Sequence, residues 1–169
     1  MPGISISHNM RKRLISTIPK RDVEPGQDWL DLGQAAVVEV TSEADGFAIE
    51  GALLNDGQRG WRASVPGVQT IRLLFDHPQT IRLIRLVFKE TEFTRTQEFV
   101  LRWLPHGADV WRDVVRQQWN FSSPNTVDEC EEYKVELPSA SALELSINPD
   151  ISKGGARASL EKLQVSVRE

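Results

Sequence analysis

The sequence predicts an all-β chain, folded as an antiparallel sandwich or barrel of about eight short strands. Three observations carry that expectation. Apolar and polar residues alternate at period two, as in Gln69–Phe75, where Ile71, Leu73 and Phe75 share one face. Turn-forming clusters such as Pro105-His106-Gly107, Ser122-Ser123-Pro124 and Asn148-Pro149-Asp150 break the chain at short intervals. No GxGxxG, P-loop or internal repeat is present, so nucleotide-binding α/β units and solenoids have no foothold.

The elements follow in order. Residues 1–30 have little periodicity and contain Pro2, Pro19 and the turn Pro25-Gly26. They read as an amino-terminal extension that lies over a domain spanning 31–169, with Trp29 as an anchor. The basic cluster Arg11, Lys12 and Arg13, with Lys20 and Arg21, reads as a solvated tail. Ala36–Val40 is the first strand, and Ile49–Leu54 is too short for more than one helical turn. Residues 57–67, GQRGWRASVPG, read as a crossover loop that enters the strand Gln69–Phe75. After a loop at 76–79, Thr80–Phe88 sets Ile81, Leu83, Arg85 and Val87 against Arg82, Ile84, Leu86 and Phe88. Gln97–Trp103 groups Phe99, Leu101 and Trp103. Val110–Trp119 fits strand and helix spacing alike; its flanking turns and β-branched residues favour a strand. Tyr133, Val135 and Leu137 alternate next, then Leu143, Leu145 and Ile147, and finally Leu163, Val165 and Val167.

Composition narrows the function. The chain has 169 residues, enough for one domain with an extension. Net charge is −4, which leaves no basic excess to neutralise phosphates and argues against nucleic acid as a partner. Cys130 is the single cysteine, so no internal disulfide forms, and zinc or thiol redox chemistry has no ligand set. No secretory leader and no apolar run near the roughly 18 residues of a membrane span are seen, so a cytoplasmic protein without membrane contact is expected.

Ala52-Leu53-Leu54-Asn55-Asp56-Gly57, followed by Gly60-Trp61-Arg62-Ala63, resembles a stretch of the discoidin-like domains. These are galactose-binding-like jelly-roll β-sandwiches that include coagulation-factor type C domains and many bacterial carbohydrate-binding modules. Gln69–Phe75, Pro78-Gln79, Ile81–Val87 and the closing Ala158–Val165 extend the resemblance over roughly 35–168. Trp61-Arg62-Ala63 is also similar to the amino-terminal domain of the single-strand-break repair scaffold, a distant member of that fold. The resemblance implies a jelly roll and a ligand site, and it supports fold more than function. Carbohydrate-binding members often hold a structural calcium through backbone carbonyls, an early carboxylate and a Glu in the last strand. Here Lys162 stands at the Glu position, with Glu161 one residue off and so on the opposite face. A structural calcium then rests on Asn55-Asp56-Gly57 alone, for which an Asx-Gly turn is the competing role. No other cofactor is expected.

Connections in an antiparallel chain alternate between its two ends. The loops at 76–79, 104–109 and 138–142 should therefore share one end, and those at 64–68, 90–95, 120–126 and 148–157 the other. The second end collects Trp61, Arg62, Glu90, Glu92, Phe93, Arg95, Asn120, Asn125, Asn148, Asp150 and Lys153. An aromatic face suits the apolar side of a pyranose, and carboxylate, amide and guanidinium groups suit its hydroxyls. The candidate ligand-binding set is Trp61, Arg62, Glu90, Phe93, Arg95 and Asn120, with no metal ligands and no catalytic residues. Structural roles compete for several of these. Trp61 reads more readily as a plug at the edge of the core than as a stacking platform, and Arg62 and Arg95 could pair with Glu90 or Glu98 in a network that fixes the loops. The other end offers His77 and His106, which read as exposed turn residues.

The expectation is a non-catalytic binding module for a carbohydrate or glycoconjugate. The alternative is an intracellular protein–protein interaction or scaffold domain, using a sheet face or residues 1–30. An enzyme comes third: no Ser/His/Asp spacing is recognisable, and only Glu90, Glu92 and Asp150 offer carboxylates that could converge.

Overall fold

Alternating hydrophobicity becomes alternating burial. Gln69, Ile71, Leu73 and Phe75 point inward, while Thr70, Arg72, Leu74 and Asp76 are more exposed. A computed structural model describes residues 28–54, 59–91, 93–122 and 127–168. Its strands are β1 (Ala36–Val40), β2 (Trp61–Pro66), β3 (Gln69–Lys89), β4 (Arg95–Pro105), β5 (Arg112–Phe121), β6 (Asp128–Asn148), β7 (Arg157–Leu160) and β8 (Lys162–Ser166). Two single-turn helices, α1 (Leu32–Ala35) and α2 (Glu50–Leu53), flank β1. All pairings are antiparallel, in the order β1-β3-β6-β4-β5, with β8 on β3 and a separate β2-β7 ribbon.

The jelly-roll sandwich is made by two strands that serve both layers. β3 and β6 each run 21 residues, which drawn straight would span about 70 Å, far beyond a domain of this size. They turn a corner together. Leu74 pairs with Ala142, Gln79 with Ala140 and Ile81 with Leu137, with register shifts between each step. Ser139 takes a positive φ of 56° there, and Pro78 and Pro138 withhold ladder donors. Before the corner β3 lies between β1 and β6; after it, between β8 and β6. The expected loops at 76–79 and 138–142 are thus corners within continuous strands, because the paired partner carries the hydrogen bonds around the bend.

Two other expectations change. The second half of 57–67 is strand β2, not loop, because Trp61 and Ala63 alternate inward against Arg62 and Ser64. β2 sits tightly on β7: a Cβ at Gly60 would lie 2.6 Å from the Leu160 carbonyl oxygen and 2.8 Å from Glu161 Cα, so only glycine permits the approach. Val110 and Trp111 precede β5, and Val110 is exposed.

The core lies between the layers. Its largest fully buried side chains are Trp61, Phe88, Phe99 and Phe121, and the Phe88 and Phe99 rings meet at 5.2 Å. Trp29 bridges Ser166, and Leu30 N donates to Val165 O at 2.7 Å, so residues 28–30 attach to β8. The basic cluster at 11–21 lies outside the described residues. Among those described, no helix is long and apolar enough to cross a membrane.

Candidate functional site

The corner in β3 returns its end to the level of its beginning, and this assembles one loop-bearing end. Arg95 is the pin. Its Nε and Nη2 donate to Glu90 Oε1 at 2.9 and 2.6 Å, and its Nη1 donates to Gln97 Oε1 at 3.4 Å and to the Pro149 carbonyl. Glu90 N donates to Val127 O at 2.8 Å, and Ile151 N to Thr96 O at 2.9 Å. The loops after β3, β5 and β6 are therefore tied together, as the alternation of connections requires. At the opposite end His106 N donates to Ser139 O, and both His77 and His106 are exposed.

Three of the six candidate residues are structural. Trp61 is 1% exposed, and its indole Nε1 donates to Ser42 O at 2.9 Å. Glu90 and Arg95 are 3% and 5% exposed, and Arg95 also lies over the Phe121 ring at 5.0 Å. In this geometry core packing buries Trp61, although it also lines the cleft onto which Arg62 opens, and the ion pair buries the other two. Glu98 pairs with Arg116 instead of Arg62 or Arg95. Asn148 and Asp150 make Asx turns, through Asp150 N to Asn148 Oδ1 and Ser152 N to Asp150 Oδ1.

The other three candidates face outward. Phe93 is 47% exposed, and its own N–H donates to Glu90 Oε2. Asn120 is exposed, and its Oδ1 accepts from Thr96 Oγ1 at 2.5 Å. Arg62 lies over the Phe47 ring at 5.5 Å, with its Nε buried and without a hydrogen-bond partner. Glu92, Asn125 and the Asn55-Asp56-Gly57 tripeptide lie outside the described residues.

Arg62 opens onto a cleft of about 200 Å³, whose lining includes Phe47, Arg59, Lys89, Thr91 and Glu161. Sequence reading missed Phe47, Arg59 and Lys89. The one local signal was Asp45-Gly46, a turn that presents Phe47: Gly46 has φ +80°, and Ala44 and Phe47 form a bridge.

A second polar cluster spans the layers. Gln117 of β5 donates to Glu131 Oε2 at 2.6 Å and accepts from the Tyr133 hydroxyl at 2.6 Å. Glu129 beside them is 1% exposed. Burial first, and Glu131 next to it second, push the Glu129 carboxyl up to about 8. The same burial and the Glu131 and Glu129 charges raise the Tyr133 phenol. A carboxyl raised on folding favours the native state fully below its ordinary 4.5, and that contribution is lost as pH rises through about 8. The thermal midpoint should fall between pH 5 and pH 8.5. Glu129→Gln should flatten this slope and exceed the parent at pH 8.5 by roughly 3 °C or more. Parallel slopes for the two proteins in thermal scans would refute the assignment.

The chain shares its jelly-roll β-sandwich fold with solved family 32 carbohydrate-binding modules. No family model matches the chain, and no curated protein matches it. Solved structures do. The family 32 carbohydrate-binding module of Clostridium perfringens NanJ, in complex with galactose, superposes with a TM-score of 0.53 at 17% identity, over 77% of this chain and 92% of that one. Another family 32 module from Clostridium perfringens, in complex with GalNAc-β-1,3-galactose, gives 0.57 at 18% identity, over 82% and 99%. A Ruminococcus gnavus GH29 fucosidase mutant, in complex with fucose, gives 0.57 at 11% identity, over 80% of this chain. The chain spans about a quarter of the fucosidase's length (26%) and nearly all of the two modules'.

Proposed function

We propose that the chain is a non-catalytic carbohydrate-binding module whose ligand docks on the loop end. The observation that carries this reading is Phe93, an exposed ring on a loop clamped from beneath by the buried Glu90–Arg95 pair. Such a ring is a pre-organised platform for the apolar face of a pyranose, and the exposed Asn120 amide offers hydrogen bonds to hydroxyls. The fold shared with modules solved in complex with galactose and GalNAc-β-1,3-galactose supports it. Non-catalysis is supported by Glu90: the carboxylate best placed for acid–base work is occupied by Arg95. A glycan array followed by titration calorimetry tests the reading. Phe93→Ala should weaken a sugar hit about tenfold or more without lowering the thermal midpoint. No saccharide binding across a broad panel would overturn it.

We further propose that the domain does without the structural calcium that its resemblance suggests. Lys162 Nζ donates to Leu54 O at 3.0 Å and to Gly51 O at 3.5 Å, carbonyls at the C-terminal end of α2. A tethered ammonium among these carbonyls repels a divalent ion and supplies the positive charge that a helix C-terminus favours. Among the described residues, this position therefore suits an ammonium and not a calcium ion. Neither a chelator nor added calcium should move the thermal midpoint. Lys162→Met should lower it by roughly 4–10 °C through the lost charge-assisted hydrogen bonds. A drop on adding chelator would sink this reading.

A further inference from the structure

We infer that the cleft beside Phe47 receives a negatively charged group of the ligand, so that the module selects acidic over neutral saccharides. This rests on the glycan-binding reading above and names its ligand class. Three cations line the cleft: Arg59, Arg62 and Lys89. None of them is in an ion pair among the described residues, whereas Arg72, Arg82, Arg85, Arg95, Arg102 and Arg116 each are. Grouping three cations costs self-repulsion, and it runs against a chain whose net charge is −4. Among the described residues, Glu161 is the one acidic side chain in the lining, one carboxylate against three cations.

The guanidinium groups are also held in place. Arg59 and Arg62 lie over the Phe47 ring at 5.1 and 5.5 Å, so the ring fixes two donor forks before a ligand arrives. The Arg62 N–H inside the cleft wall has lost water without gaining a partner. Planar forks set in this way match a carboxylate or a sulfate ester, which accept paired hydrogen bonds. A neutral hydroxyl gives no comparable return for drawing the cations together. Lys89, the last residue of β3, and Thr91 line the cleft four and two residues before Phe93, so one saccharide chain can meet ring and cations together.

The test compares a trigalacturonate with its methyl ester, the same sugar without the charge, by calorimetry at low and at 200 mM salt. The acid should bind at least about tenfold tighter than the ester, and salt should narrow the gap. Lys89→Ala and Arg62→Gln should each weaken the acid severalfold and leave the ester unchanged. Thermal scans identify any variant that fails to fold, and Lys89, exposed on its strand, keeps the test open if Arg62→Gln does. Equal binding of acid and ester, or of parent and both variants, would overturn the charge selectivity and leave the glycan reading standing. Binding confined to neutral sugars elsewhere on the array does the same. If no saccharide of either charge binds, the glycan reading itself falls.

Discussion

Arg95→Ala is expected to destabilise the domain by about 3–5 kcal/mol, read as a shift in the urea midpoint at constant slope. The magnitude comes from what is left behind. Arg95 is 5% exposed and gives two nitrogens to Glu90 Oε1, at 2.9 and 2.6 Å. Removing it takes the guanidinium from a carboxylate that is itself 3% exposed and empties the space against the Phe121 ring. It also releases the Pro149 carbonyl, so the loop after β6 loses its tie to the loop after β3. Arg95→Lys keeps the charge but not the fork and should recover only part of the loss. The double change Arg95→Met with Glu90→Leu should recover more than Arg95→Ala, because no charge is then buried without its partner. A loss below about 1 kcal/mol for Arg95→Ala would mean that the pair is solvated and the loop end is not pinned through it.

That pin explains how much of the site was legible in the sequence. The alternation of connections correctly placed Glu90, Arg95, Asn120 and Asn148 at one end, since chain reversal is a matter of strand count, and period-two runs give the count. It did so even though 76–79 and 138–142 are corners within β3 and β6. A corner that carries a ladder between layers reverses direction just as a loop does. What the sequence left open was the side on which each group faces. Glu90 and Arg95 sit in a polar stretch that reads as solvent-exposed, and only the meeting of three loops buries them. Phe47 and Lys89 were invisible for a related reason. The cleft draws on segments as far apart as Phe47, Arg59, Lys89 and Glu161, and no local spacing links them. Lys162 was readable as a departure from a resemblance, but its partners, the carbonyls of Gly51 and Leu54, carry no side-chain signature at all.

Trp61→Ala should cost about 3–5 kcal/mol, without a ligand-binding effect once folding is restored by lower temperature or a stabilising co-solvent. Trp61 begins β2 with 1% of its surface exposed, and it is flanked by Gly60, whose missing Cβ lets β2 close on β7. An indole deleted at that point leaves a cavity that this closely paired ribbon has little freedom to collapse into. The hydrogen bond from Nε1 to Ser42 O goes as well and leaves that carbonyl without its indole partner. Trp61→Phe separates the two losses: it keeps most of the apolar volume, forfeits the hydrogen bond and should cost about 1–3 kcal/mol. The phenylalanine variant also decides between the two roles the sequence allowed for this ring. A plug at the core edge predicts that Trp61→Phe lowers the unfolding midpoint while saccharide affinity stays within about twofold of the parent. A stacking platform predicts the reverse, an unchanged midpoint and an affinity down about tenfold. Arg62, its neighbour on the outward face of β2, should instead show an unchanged midpoint and a severalfold loss toward an acidic sugar, because in a strand successive side chains face opposite ways.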